Sequence, residues 1–387
     1  MRCQMLKIAI VSISYGKEIN GGSQQYAKLI AEKLTKYFDV DVLTTKAVDS
    51  WSWKDYYLVD NEIINGVNVH RFSVDKERTQ VFIDIQKKYL EDEPFEEQWI
   101  NNVGPKSNSL IDYAIAHKND YKAFIIVTYE YYFAVRLIPL LRDKVIFIPT
   151  AHDCKLIRRK LFSKLFLMPG AFIYLTEEEK KLCNKLFHNA YINSEVAGVG
   201  IDIPGNVDGE KFVKSHNLSN YILYVGRIEE GKGCLTLFRD FEKYKKECKN
   251  DLKLVLMGKS SMKIPADSDI INLGFVSDEE KFSGMKMAKF LVLPSEYESL
   301  SMVVLEAMAC STPVLVNSKC NVLKGHCLKS NGGFYYKSYD EFKKILEFTW
   351  AHPNIYRILK TNSEEYIRKN YCWPAIIKKF CSLINDI

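Results

Sequence analysis

The 387 residues hold no apolar run near the ~20 that a helix needs to cross a bilayer, so no membrane-spanning helix is expected. Ten cysteines are present, none arranged as Cys-x-x-Cys, and most lie in apolar or helical contexts. Neither a zinc site nor a disulfide framework is indicated, and the expected setting is a reduced cytoplasm. Met1 to Lys7 lead into a short apolar strand without a cleavage pattern, so no signal peptide is expected. An early Gly-x-Gly-x-x-Gly is missing, which argues against a dinucleotide-binding dehydrogenase. Gly-x-x-x-x-Gly-Lys-Ser/Thr and Gly-x-Ser-x-Gly are missing too, so a P-loop and a hydrolase elbow are not expected. A metal-dependent transferase would want Asp-x-Asp after a strand. Asp39-Val-Asp41 fits in letters, but Asp41 lies inside the run Val40 to Leu43 and reads as strand alternation. Asp267-Ser-Asp269 sits in a turn with no partner carboxylates evident. Internal repeats and low-complexity tracts are not apparent. A net charge of +6 suits anionic ligands or a lipid surface better than sequence-specific nucleic-acid binding, for which no motif occurs.

What is present is an ordinary globular composition, 47% hydrophobic and 26% charged, in a length that suits two domains. The stretch Leu291 to Asn317 organises the rest. Phe290 to Leu293 reads as a buried strand, ended by Pro294 and Ser295. Met302 to Ala309 reads as a helix of about two turns, apolar on almost every side. Pro313 stops it, and Val314 to Val316 is the next strand. Glu306 is the one charge on that helix. A buried carboxylate needs donors, either a nearby Lys or Arg or the vicinal hydroxyls of a ligand. The backbone amides of Ser299, Leu300, Ser301 and Met302 open the helix and make an anion site. A carboxylate for a sugar beside amides for a phosphate suggests a nucleotide or a nucleotide sugar.

Taken in order, Lys7 to Ile13 is a strand, Gly21-Gly22 a loop, and Gln24 to Tyr37 a helix with Tyr26, Leu29, Ile30, Leu34 and Tyr37 on one side. With the strand Val40 to Leu43 this opens a βαβ unit, and the glycines either meet an anion or make a plain turn. Ile63 to Phe72 reads as a hairpin about Asn65-Gly66. The strand Phe124 to Val127 ends in Tyr129, Glu130 and Tyr131, which suit sugar recognition or an aromatic helix start in the core. Val145 to Ile148 ends in His152-Asp153, an imidazole over the end of the sheet or one satisfied by Asp153. Leu156 to Met168 mixes apolar positions with cations, as a face for an anionic membrane or as a domain helix with a solvated basic side. Thr176 to Glu179 reads as a capping box. Val199 to Ser219 is read as a linker. Tyr221 to Val225 leads into Gly226-Arg227 and Lys232-Gly233, Lys253 to Met257 ends at Gly258, and Ile270 to Leu273 is followed by Phe275 and Val276. Lys324 to Tyr336 could border a ligand.

Glu298 and Glu306, with seven residues between them inside Pro-Ser-x-x-Glu…Leu-Glu-Ala-Met-Ala-Cys-x-Thr-Pro-Val, resemble the signature of family 4 retaining glycosyltransferases. Ser299 and Ser301 stand where many members carry glycine, a variant similar to that of a bacterial surface-polysaccharide subgroup. The resemblance implies the GT-B fold: two Rossmann-like doubly wound α/β domains facing a central cleft. Residues 1–200 would form the acceptor-side domain, joined by a closing helix at about 368–387, and 205–367 the nucleotide-sugar domain. It further implies that Arg227 and Lys232 neutralise the donor diphosphate and that Gly21, Gly22 and Gly226 approach it. Gly258 would lie over the nucleotide, with Phe275 and Val276 near the base. Glu306 would take the ribose hydroxyls, Glu298 would lie near the donor sugar, and His152 would contact the sugar or the phosphates. Tyr129, Glu130 and Tyr131 would serve the acceptor. The implied activity is a hexosyl transfer from a UDP- or GDP-linked sugar to a glycan or lipid-linked acceptor, as in polysaccharide assembly. It would need no metal or other cofactor, in a cytoplasmic protein with peripheral contact to the inner membrane face. The alternative is a catalytically silent GT-B binding or scaffold subunit.

Overall fold

The computed structural model describes residues 5–19, 21–49, 52–91 and 95–387. The reading of the N-terminus falls partly on residues 1–4, outside them. The chain divides into two compact units. One runs to Val199 and takes back Pro374–Ile387; the other is Gly200–Trp373.

The first unit carries eight strands among the described residues: β1 Lys7–Val11, β2 Asp39–Thr45, β3 Asn61–Ile64, β4 Val67–Phe72, β5 Ala123–Val127, β6 Val145–Ile148, β7 Ala171–Tyr174 and β8 Asn193–Val196. Their order is β3-β4-β2-β1-β5-β6-β7-β8, parallel except for the β3–β4 hairpin. Asn65 and Gly66 both take positive φ at that hairpin, as an Asn-Gly two-residue turn requires. β5, β6 and β7 are buried at every residue, because helices cover both faces of a parallel sheet and the strands read as continuous apolar runs. The order reverses between β1 and β5, so the loops after these strands diverge there.

Three readings need correcting. The first helix is Gly22–Leu34, and Tyr37 lies beyond it, 53% exposed. Asp41 does not alternate outward: β2 is covered on both faces, and Asp41 is fully buried. Its carboxylate is met by Lys7 Nζ at 2.9 Å, the Tyr121 hydroxyl at 2.6 Å, His70 Nε2 at 3.0 Å and Asn68 Nδ2 at 3.1 Å. Burial opposes ionisation there, and these partners overcome it and hold the carboxyl well below its usual range. Leu156 to Met168 is not one helix but a 3-10 turn, Leu156–Arg158, followed by a short helix, Lys160–Leu165. Leu156, Ile157, Phe162, Leu165 and Phe166 are buried, and Phe166 stacks on Phe187 at 4.2 Å. The segment therefore spends its main apolar side on the core of its own unit.

The second unit carries six strands among the described residues: β9 Tyr221–Val225, β10 Lys253–Met257, β11 Ile270–Gly274, β12 Leu291–Leu293, β13 Val314–Asn317 and β14 Gly333–Tyr336. All are parallel, in the order β11-β10-β9-β12-β13-β14. The order reverses between β9 and β12, the place where parallel α/β sheets open a crevice beyond their carboxyl ends. The segment read as a linker holds a helix, Gly209–Ser215, capped by Asp208. The Asp208 amide donates to Ser283 Oγ at 3.0 Å, which ties this helix to Asp278–Met287. No helix among the described residues is long and apolar enough to cross a membrane.

Candidate functional site

In the second unit the loops after β9 and β12 meet. Gly233 decides how. It takes φ +76, and a Cβ there would lie 2.6 Å from the Pro294 carbonyl oxygen. Only glycine lets the 3-10 turn Glu230–Lys232 lie this close to the end of β12. Lys232 Nζ consequently donates to Glu298 Oε1 at 2.8 Å, with both side chains largely buried. Gly258 does the same for the next loop: its Cβ would fall 1.9 Å from the Gly226 carbonyl oxygen, so the backbones after β9 and β10 touch. Arg227 is held through its carbonyl, which accepts from the Tyr224 hydroxyl at 2.6 Å. Its guanidinium stays exposed beside Glu229 at 3.1 Å. Phe275 is exposed at the end of β11, with Lys259 Nζ 5.7 Å from its ring centre, and Val276 is half-buried.

The helix Met302–Ala309 starts from Ser301, which takes φ +63. The Ser301 hydroxyl is buried with no hydrogen-bond partner among the described residues. Leu300 is buried, and its carbonyl accepts from His326 Nε2 at 2.8 Å. A carbonyl can only accept, so Nε2 carries the proton and Nδ1 faces the Tyr366 hydroxyl at 3.0 Å. His326 thus braces the turn Ser299 to Ser301 from behind rather than bordering a ligand. Glu306 finds its donor in Lys281, at 3.0 Å, and Lys281 also reaches Asp278 at 2.9 Å. Burial works against the Lys281 charge, and the Glu306 and Asp278 carboxylates outweigh it, so its pKa stays above the ordinary value. Sequence reasoning left a Lys open as one of two donors; it gave no sign that Lys281 was the one.

In the first unit, Gly21 and Gly22 open the helix after β1 and are exposed. A Cβ at Gly22 would meet nothing within 4 Å, so the fold itself does not call for glycine there. Tyr129, an acceptor candidate, is fully buried, edge-on to Phe162 at 4.9 Å and to Phe166 at 6.1 Å. Its ring is core and has no face left for a sugar. Tyr131 is half-buried at the start of the helix Tyr132–Leu141. His152 does not pair with Asp153, which turns to Arg158. His152 Nε2 instead faces Glu130 Oε1 at 3.7 Å, and Cys154 stands beside it. Burial disfavours the imidazolium, but Cys154 and Glu130 outweigh it and lift His152 to about 9. Beneath this loop lies Glu179, 1% exposed, whose carboxylate accepts from the Ala151 and Leu175 amides. Burial pushes its pKa up to about 8. Thr176 caps the helix as expected, but Glu179 reaches past its own cap to tie the end of β6 to the end of β7.

Residues 208–365 match the family described as Glycosyl transferases group 1. That match spans most of the second unit. The matched region carries Arg227, Lys232, Glu298 and Glu306. Over 97% of its length the chain is 23% identical to an uncharacterised glycosyltransferase of Methanocaldococcus jannaschii, covering 96% of that protein. A stretch covering 28% of the chain is 30% identical to 30% of a Campylobacter jejuni enzyme, N-acetylgalactosamine-N,N'-diacetylbacillosaminyl-diphospho-undecaprenol 4-alpha-N-acetylgalactosaminyltransferase. These matches support a transferase enzyme. Among solved structures, sucrose-phosphate synthase from Thermosynechococcus elongatus superposes with TM-score 0.74 at 16% identity, covering 98% of both chains. HepE from Anabaena, in complex with UDP and glucose, gives 0.73 at 14% identity, covering 99% of this chain and 100% of that one. With the two parallel sheets, this establishes the GT-B fold.

Proposed function

We propose that the protein is a family 4 retaining glycosyltransferase that moves a sugar from a nucleoside-diphosphate sugar to a glycan or lipid-linked acceptor, with no metal cofactor in the transfer. The observation that carries this is the Lys232–Glu298 contact, which joins the loops after β9 and β12 where the strand order of the second sheet reverses. The two loops carry a cation, an exposed guanidinium and the amides opening Met302–Ala309, the kinds of group a departing diphosphate requires. Lys232 leaves Glu298 for the diphosphate as the donor enters, and Glu298 is released to the donor sugar. Glu306, oriented by Lys281, takes the ribose hydroxyls, and Phe275 and Val276 lie beside the base. In the first unit Gly21 and Gly22 offer backbone amides to an anion, and His152 contacts the sugar or phosphates. Glu130 and Tyr131 serve the acceptor. HepE is seen with UDP, and this favours a UDP-linked donor. The Campylobacter enzyme acts on a diphospho-undecaprenol, which favours a lipid-linked acceptor in surface-glycan assembly.

The test is a donor screen reading nucleotide release, with and without lipid-linked acceptors. Lys232→Ala should lower turnover by about 10²–10³-fold with its circular dichroism unchanged. Near-normal transfer by that variant rejects the diphosphate role.

A further inference from the structure

The loops after β5 and β6 bring together three side chains with the chemistry of metal ligands. Glu130, His152 and Cys154 each offer one donor atom, and these atoms lie within 4.8 Å of one another. His152 Nε2 and Glu130 Oε1 are already 3.7 Å apart. Ligand bonds of about 2.0–2.3 Å place donor atoms of a tetrahedral site roughly 3.3–3.6 Å apart, so small side-chain rotations close the set. The packing of the strand ends makes this arrangement. The Thr128 and Tyr129 amides donate to the Ile148 and Pro149 carbonyls, which locks the two loops side by side. The Cys154 amide donates to the His152 carbonyl at 2.9 Å, which turns both side chains to one side. A supporting contact is in place as well. The Tyr129 hydroxyl stands 3.4 Å from Cys154 Sγ. A thiolate met by a hydroxyl is the kind of outer-layer contact such sites use. All three ligand side chains are partly exposed, so an ion can reach them.

We propose that Glu130, His152 and Cys154 bind a borderline-soft divalent cation of the zinc class, with its fourth position open to water. A thiolate and an imidazole select such an ion over magnesium or calcium, which want oxygen alone. The ion is not a cofactor of the transfer. It occupies the imidazole that the proposed reaction uses, so it inhibits, and this part rests on that reading.

The experiment is a cobalt(II) titration of the full chain, followed by displacement with zinc. One equivalent of cobalt should give a thiolate-to-cobalt charge-transfer band and the visible bands of a tetrahedral centre. Cys154→Ser should lack the charge-transfer band, and Glu130→Gln should bind at least about tenfold more weakly. Absence of saturable binding overturns the proposal, and so does a full band in Cys154→Ser, which would place the ion on another cysteine. If Cys154→Ser does not fold, unchanged affinity in Glu130→Gln overturns it instead. Zinc should slow transfer by the wild type but not by Cys154→Ser; transfer untouched at saturating zinc overturns the inhibitory role. The cobalt spectrum does not depend on turnover, whereas Lys232→Ala tests the donor reading alone, so the two fail separately.

Discussion

Ser301 shows what a single residue costs and permits. Its left-handed φ and its unpartnered buried hydroxyl are both unfavourable, the first by roughly 1–2 kcal/mol and the second by about 1–3. Glycine would remove both and lose about 0.5–1 kcal/mol to chain entropy. Ser301→Gly should therefore raise stability by about 1–4 kcal/mol, read as a higher denaturant midpoint at unchanged slope. An unchanged or lower midpoint would mean the turn is not strained. Glu306 and Lys281 make the opposite case. Each is the other's partner in a site largely removed from water, so Lys281→Met should weaken nucleoside-diphosphate binding in calorimetry by leaving Glu306 unpaired.

At the scale of elements, the loops at the carboxyl ends of the strands are pinned from below. Glu179 does this for the β6 and β7 ends, and its burial sets a pH dependence. The unfolded carboxyl titrates near 4.5 and the folded one near 8. Between these values the folded chain keeps a proton that the unfolded chain has lost. Its contribution is thus full below about pH 4.5 and is lost as pH rises through about 8. Asp41 has the opposite sign: its carboxyl is held low, so its contribution is present above the ordinary value of 3.8 and lost as pH falls. Glu179→Gln should flatten the fall in stability from pH 5 to 8.5 seen in urea titrations. Asp41→Asn should cost about 1–3 kcal/mol near neutrality and progressively less in acid. Neither group was legible in the sequence. Glu179 read as the end of a capping box begun by Thr176, and Asp41 as strand alternation. Asp41 is interior because both faces of its sheet are covered, and Glu179 because it turns in beneath the ends of β6 and β7.

For the whole molecule, the two sheets each reverse strand order once, and the second unit carries Arg227 and Lys232 at its reversal. A nucleoside diphosphate should therefore raise the melting temperature, with a gain near 2.7 kcal/mol at a hundredfold excess over Kd. Hydrogen-exchange protection should rise at Gly226–Gly233 and Ser299–Met302. Protection confined to the first unit would contradict the assignment. The parallel strands were readable because a doubly covered strand must be apolar throughout, as Phe124 to Val127 and Val145 to Ile148 are. The helix at Gly209–Ser215 was not, since its short polar face resembles a linker until Asp208 and Ser283 are seen together.

The sequence alone determined which strand-end loops hold the glycines, cations and carboxylates. Glycines, cations and carboxylates at strand ends are local patterns, and local patterns survive without a fold. The tertiary structure decided who meets whom: Lys232 with Glu298, Lys281 with Glu306, Tyr129 with the core, and His152 with Glu130 and Cys154 rather than Asp153. The physical reason is that such partners sit on neighbouring strands or helices far apart in the chain. Strand order, which no window of residues encodes, sets their distances.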